Sequence, residues 1–388
     1  MIAFVITRAR LVRGLVAGGL TAVAASAWGQ SSLSGQGFGY PPGQLSTRSL
    51  AIGGSNAELD PVSPRNPAAV SSWGLPGLHV QFDPEFRRVS VSGATDRTVT
   101  SRFPLISGAT GITRALSVSA SISTLLDRTW TSESEVTETI DGTPVTTTTI
   151  FQSAGGLNDV RLAFAWIVIP SFRIGLAGHA ITGENRVTVR STFSDPNFTP
   201  LIQLTETAYS GTAASAGFSW RPLTTWAIGG SGRIEGPLRG SRQGATVTSA
   251  RVPSRAGVSV AYTGITGAVL SATGDWENWT ALDPLGSDEV GTRDTQDYSV
   301  GAEVEGPRLG TNPISVRLGG RWRDLPFDAA GSAVTERALG GGLGFPLANI
   351  GGFPRALLDV AVQNARRSGP PGARESAWTL SLGLTVRP

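Results

Sequence analysis

The feature that most limits what this chain can become is an alternation of apolar with small or polar residues that runs too long for a soluble sheet. In Ser376–Val386, Trp378, Leu380, Leu382, Leu384 and Val386 share one face, and Ala377, Thr379, Ser381, Gly383 and Thr385 share the other. Side chains alternate along a strand with period two, so this stretch has one greasy face and one small, polar face. A strand of a soluble sandwich needs only about 5–6 residues, whereas a tilted strand needs about 9–11 to cross a bilayer. The pattern recurs with charges on the small face. Leu162, Phe164, Trp166 and Val168 oppose Arg161, Ala163 and Ala165; Phe172, Ile174 and Leu176 oppose Arg173, Gly175 and His179. Trp226, Ile228 and Ile234 oppose Arg233 and Glu235; Ile314, Val316, Leu318 and Trp322 oppose Arg317, Arg321 and Arg323; Leu358, Val360 and Val362 oppose Asp359 and Gln363. In a membrane barrel the greasy face meets lipid and the other meets the lumen.

The whole pattern predicts an all-β chain: a transmembrane antiparallel β-barrel of about fourteen strands spanning 77–388. Their approximate spans are 78–83, 86–100, 114–140, 145–169, 172–193, 202–219, 226–240, 245–262, 266–279, 294–304, 314–323, 333–345, 355–363 and 375–386. Asp83-Pro84 interrupts the first two. Trp130, Trp166, Trp220, Trp226, Trp276, Trp279, Trp322 and Trp378 lie near strand ends, where interfacial girdles belong. Short turns at Pro170-Ser171, Arg221–Thr225 and Thr263-Gly264 alternate with longer polar connections, and short turns mark the periplasmic side. Trp130–Ile140 and Val145–Gln152 flank Asp141-Gly142, a strong hairpin signal. Both arms are polar on both faces, so they read as an extracellular ribbon beyond the membrane.

Residues 1–29 read as a signal peptide: Arg8, Arg10 and Arg13, then the apolar Leu15–Ala25, then small residues suited to cleavage. The apolar run is too short to span a bilayer, and no later stretch is apolar enough for a transmembrane helix. Export predicts the cell outer membrane, with barrel-insertion machinery as the assembly partner and lipid as the solvent. The chain has no cysteine, and all 32 of its basic residues are arginine. Its formal charge of +3 vanishes once the three signal-peptide arginines are removed, so the basic pI does not argue for nucleic acid.

Between signal and barrel, residues 30–76 do not alternate. Leu45–Trp73 holds a short apolar turn, Gly53-Gly54, and prolines at 61, 64 and 67. Proline removes a backbone donor and is excluded from sheet interiors, so this segment is no central strand. It is expected to begin at the periplasmic mouth and fold back into the lumen as a plug.

Residues 46–69 resemble the N-terminal signature of the FadL-type outer-membrane transporters of long-chain fatty acids and hydrocarbons (the OMPP1/FadL/TodX family), with the PorV-like barrels of secretion systems as relatives. The matching residues are Arg48 to Ser55 with the Gly53-Gly54 step, then Asp60, then Asn66-Pro67-Ala68-Ala69. The chain departs from the usual outer-membrane ending, because Val386-Arg387-Pro388 is not aromatic. The resemblance implies a monomeric fourteen-strand barrel with an N-terminal hatch, through which hydrophobic molecules enter from outside and leave past the hatch or through the wall.

No catalytic residue, metal ligand or cofactor is expected. The chain has two histidines, His79 and His179, and no nucleophile-elbow motif. Asp275, Glu277 and Asp283 read as rim acids. Arg173, His179, Arg233, Arg317, Arg321 and Arg323 are the lumenal candidates for ligand binding. The arginines either form a wall network with Glu235, Asp359 and the plug, or clamp the carboxylate of an acidic amphiphile, for which the guanidinium fork is suited. Arg48, Gly53, Gly54, Asn66, Pro67 and Ala68 are the candidate plug and gate residues. The plug either fills the lumen or gates it. The expected function is uptake of hydrophobic or amphipathic small molecules; the alternatives are a non-transporting scaffold or secretion partner using the ribbon, and a general diffusion porin.

Overall fold

Alternation of this length, repeated fourteen times, closes into a ring. The computed structural model describes residues 38–387 apart from 92–93, 141–142, 286–290, 310–311, 330, 351–352 and 371. The export signal and the Asp141-Gly142 turn lie outside the described residues. The strands are β1 Gly77–Val91, β2 Ala94–Gly111, β3 Leu116–Asp127 continued by Trp130–Ile140, β4 Thr143–Ile169, β5 Phe172–Phe193, β6 Leu201–Leu223, β7 Trp226–Ile234 continued by Pro237–Arg242, β8 Ala245–Arg251 continued by Arg255–Ile265, β9 Ala268–Glu277, β10 Thr295–Leu309, β11 Asn312–Ala329, β12 Ser332–Ile350, β13 Phe353–Ser368 and β14 Ala373–Val386. Sequential neighbours pair antiparallel, and β1 pairs with β14 as well as β2, so the sheet closes without a free edge. Both halves of β3 pair with β4, and both halves of β7 with β6, which makes each a single wall strand with a break.

Two boundaries differ from the sequence reading. Asp83-Pro84 does not split a strand: β1 runs through it with a register shift between Gln81 and Asp83, and a bulge is where a proline can sit within a sheet. The last described pair of the first hairpin is instead Val91 with Ala94. The ribbon arms do pair, Trp130 with Ser153 through Ile140 with Thr143. They are not a lone hairpin, however, because β5 extends the sheet as far as Thr147↔Phe193.

The outward face is an apolar belt: Leu176 (66% exposed), Leu339 (69%) and Trp166 (59%) have no protein neighbour to cover them, as lipid-facing residues should. Trp220, Trp226, Trp276, Trp322 and Trp378 also face out. Trp279 does not. It sits on a 3₁₀ turn, Trp279–Leu285, that folds over the lumen at the long-loop end, and it is 2% exposed. Its apolar ring is covered by Phe327 (centroids 6.4 Å), so it caps the interior and belongs to no girdle.

Residues 38–73 bond to inward side chains of β3, β4, β8, β9, β10 and β14, on opposite sides of the ring. Only a segment inside the barrel can reach all of these. The start of the segment, residues 30–37, lies outside the described residues; the described part begins at the long-loop end. Phe38 lies among long-loop-end residues such as Trp279 and Phe327, and the chain then descends to Trp73, against Gly77 at the start of β1.

The wall makes room for this segment with glycine. A Cβ on Gly319 would stand 2.1 Å from the carbonyl carbon of Ile52, and one on Gly175 would stand 2.4 Å from Ala68 N. Gly319→Val is therefore expected to lower stability by roughly 1–3 kcal/mol and to expose Arg48 and Arg65 to trypsin. Gly178→Val is the control, because nothing lies within 4 Å of its Cβ position. Urea midpoints and tryptic fragments of the folded barrel check both.

Candidate functional site

The inner segment is held by its own short-range bonds before it meets the wall. Helix α1, Thr47–Ala51, is capped by Ser46, whose Oγ accepts from Ser49 N (3.1 Å). Gly53 and Gly54 then take positive φ (69° and 91°), the left-handed region that glycine enters freely, so that Gly53 N and Gly54 N return to the carbonyls of Leu50 and Ser49. Asp60 ties the two halves together, accepting from Ser46 Oγ (2.5 Å) and Ser63 Oγ (2.6 Å). Asn66 uses its whole amide. Its Oδ1 caps the 3₁₀ turn Pro67–Ser72 through Ala68 N (2.9 Å), and its Nδ2 donates to the carbonyls of Glu58 and of Phe218 on β6 (2.8 Å each). Pro67 suits the first position of that turn, where no amide proton is needed. Ala68 is small because Gly175 presses on it.

Charge then joins the segment to the wall. Arg48 grips Glu303 with two bonds (2.8 and 3.2 Å). Glu58, 0% exposed, receives Arg255 and Ser231 Oγ (2.6 Å), while Arg65 reaches Asp275 (2.6 Å). Asp275, read from sequence as a rim acid, is thus a buried partner of two arginines.

Nearer the long-loop end, the Tyr40 ring lies among four guanidinium groups, those of Arg87, Arg102, Arg323 and Arg367, at 4.6–5.5 Å from its centroid. Each has an acid to balance it. Glu336 accepts from Arg323 (2.7 Å) and Arg367 (2.6 Å), Glu85 from Arg87 (2.5 Å) and Arg102 (2.7 Å), and Arg102 also meets Asp127. The Tyr40 backbone pairs with Asp127 in both directions (2.7 and 2.9 Å). Above it Phe38 stacks on Phe327 (4.4 Å) within an apolar cluster that includes Leu126, Leu157, Ile181 and Leu238.

The six lumenal candidates divide. Arg317 pairs with Glu303 and Asp359, Arg321 with Asp297, and Arg323 with Glu336 and the carbonyl of Pro41. These three guanidinium groups already satisfy wall acids and the inner segment. Arg173 donates to Ser72 Oγ (2.7 Å). Arg233 donates Nε to the Pro253 carbonyl (3.0 Å) and leaves Nη2 without a partner. His179 lies between two residues the sequence did not single out, with Nδ1 2.9 Å from Asp159 Oδ1 and Nε2 2.8 Å from Ser215 Oγ. The other histidine, His79, is buried against Thr385 Oγ1 (2.9 Å). Arg161 is buried with Nε and Nη2 unpartnered.

One weak line in the wall lies between β2 and β3. The β2–β3 ladder joins only Leu105–Gly111 to Ser117–Ser123. Above it the described residues show no ladder between these strands, although β2 still pairs with β1 and β3 with β4. Arg102 reaches across this seam to Asp127. A groove of about 480 Å³ opens there, lined by Phe103, Thr124, Asn158, Thr182, Glu184 and Ala208 among others. Gly155 and Gly183 take positive φ (129° and 151°), and a Cβ on either would lie about 2 Å from a backbone carbonyl oxygen of the paired strand.

No family model matches the chain, and no curated protein matches it. Solved structures do. A FadL homologue of Pseudomonas aeruginosa matches at 12% identity and TM-score 0.63, covering 90% of this chain and 99% of that one. The toluene transporter TodX of Pseudomonas putida matches at 12% and 0.56, over 91% and 98%. The toluene transporter TbuX of Ralstonia pickettii matches at 12% and 0.51, over 88% and 98%. At such identity the likeness is one of fold: this chain has the barrel architecture of outer-membrane hydrocarbon channels.

Removing one member of a buried ion cluster strands its partners, which costs about 3–5 kcal/mol. Glu336→Ala, which abandons Arg323 and Arg367, is expected to lose that much. Glu206→Ala, which breaks the exposed pair with Arg186 (2.7 Å), should cost under about 1 kcal/mol. Equilibrium urea unfolding in lipid vesicles measures the difference.

Proposed function

We propose that this protein is an outer-membrane channel of the FadL type that admits hydrophobic or amphipathic small molecules, with residues 38–73 as its plug. The observation that carries this reading is the coincidence of three things at one height: the apolar cluster around Phe38, the unpaired seam between β2 and β3, and the groove of about 480 Å³ beside it. An apolar solute entering at the long-loop end takes the place of Phe38 among Leu126, Leu157 and Ile181. Leu126 and Asp127 belong to the edge of the seam, so that solute lies next to the opening toward lipid.

The arm 38–44 is the gate in this reading. It anchors Phe38 in the cluster, and through Tyr40 it holds Asp127, which receives Arg102 across the seam. Moving the arm frees the pocket and loosens the seam together. Below it, the bonds of Asn66, Glu58 and Arg48 keep the rest of the segment against the wall, where it obstructs the way to the periplasm. Short turns assign that side. Against a diffusion porin for polar solutes stand the bonds that residues 38–73 make to opposite sides of the inner wall.

The test is transfer of a monoaromatic hydrocarbon into liposomes carrying the purified protein. Wild type should speed transfer over protein-free vesicles. Ala208→Trp, which fills the groove from its outward face, should slow it several-fold, and Phe38→Ala should raise it. Equal rates for wild type and empty vesicles would remove the channel reading.

A further inference from the structure

We propose that Ser215, His179 and Asp159 form a serine-hydrolase site on the lumenal wall, acting on carboxylic esters small and apolar enough to enter the barrel. The substrate class rests on the channel reading above; the site itself rests on its own geometry. Asp159 on β4, His179 on β5 and Ser215 on β6 are inward residues of three adjacent strands. A carboxylate can only accept, so the 2.9 Å contact places the imidazole proton on Nδ1. In the neutral imidazole Nε2 then carries no proton and accepts from Ser215 Oγ at 2.8 Å. That is the arrangement in which a histidine serves as base to a serine while an acid fixes its tautomer.

The surroundings are those of a worked site. Gln44 Nε2 holds the other Asp159 oxygen (3.1 Å) and Ser123 Oγ (2.7 Å), and Gln44 takes φ 52° to do so, a left-handed value that glutamine seldom adopts. Asp159, His179 and Ser215 are all buried, at 0%, 7% and 7% exposure, so an ester reaches them only when the inner segment that carries Gln44 moves. Two guanidinium groups flank them with unspent donors. Arg161, in register with His179, has Nε and Nη2 unpartnered; Arg233, in register with Ser215, has Nη2 unpartnered. Buried donors without acceptors are uncommon, and donors of this kind stabilise the oxyanion of acyl transfer.

In the first step Ser215 Oγ bonds to the ester carbonyl carbon as its proton passes to His179 Nε2. The carbon–alkoxy oxygen bond breaks, and the alkoxide takes that proton to leave as the alcohol. Water then attacks the acyl-serine, its proton passing through His179 to Ser215 Oγ as the acid departs. The sum is ester plus water giving acid plus alcohol, with no redox change. Ser215 and His179 are the catalytic residues; Asp159 is a positioning residue.

The experiment uses the full mature protein in liposomes, with a fluorophosphonate probe for labelling and p-nitrophenyl butyrate for turnover. It is run on wild type and on Asn66→Ala, whose inner segment is less firmly held. Labelling at Ser215 is expected, and Ser215→Ala should abolish it and lower kcat by roughly 10³-fold or more. Ser215→Ala should leave hydrocarbon transfer unchanged. Asp159→Asn should lower kcat on the order of 10³–10⁴-fold and alter its pH profile with KM held, which a purely structural role would not do. If neither wild type nor Asn66→Ala labels, or neither exceeds Ser215→Ala in turnover, the proposal is overturned. Labelling and turnover without hydrocarbon transfer would retain the site and overturn the channel reading instead.

Discussion

Fourteen strands closed on themselves surround more space than their inward side chains fill, and that space cannot be left as a dry void lined with charge. The inner segment answers this constraint. Its backbone is laid against wall glycines, Ile52 on Gly319 and Ala68 on Gly175, and its polar groups complete networks that the wall begins. Glu58 would be an unpaired buried acid without Arg255, and Glu303 balances Arg48 from the segment and Arg317 from the wall together. The barrel and its filling share one set of balanced charges.

Much of the fold was legible because period-2 alternation is local. Each wall strand states its outward face in its own residues, and a one-residue slip would turn every arginine toward lipid. The inner segment was legible by contrast, through proline and the Asn66-Pro67-Ala68 turn, whose bonds now show why each of those residue types is there. The first hairpin was misplaced because Pro84 reads as a stop unless the bulge beside it is known. Trp279 was misassigned because a tryptophan near a strand end looks alike whether the next turn folds outward or over the lumen.

The site was less legible, for a physical reason. Pairing among charges depends on register and tilt between strands, which no single stretch encodes. Arg317, Arg321 and Arg323 share a face, as read, but their acids come from β10, β12 and β13. Asp159, His179 and Ser215 stand 20 and 36 residues apart along the chain, so no motif announces them. Arg161 carried one usable signal, an arginine on the small face of a greasy strand, and Tyr40 carried none. The seam between β2 and β3 is a missing ladder, invisible in a sequence that alternates on both sides of it.

The most direct test of the claim that residues 38–73 close the lumen is single-channel conductance in a planar bilayer. The full mature chain should show no steady current, and the same chain lacking 38–73 should conduct as an open pore of constant amplitude. Equal currents from the two would contradict the account, because the segment could then be neither the filling nor the gate.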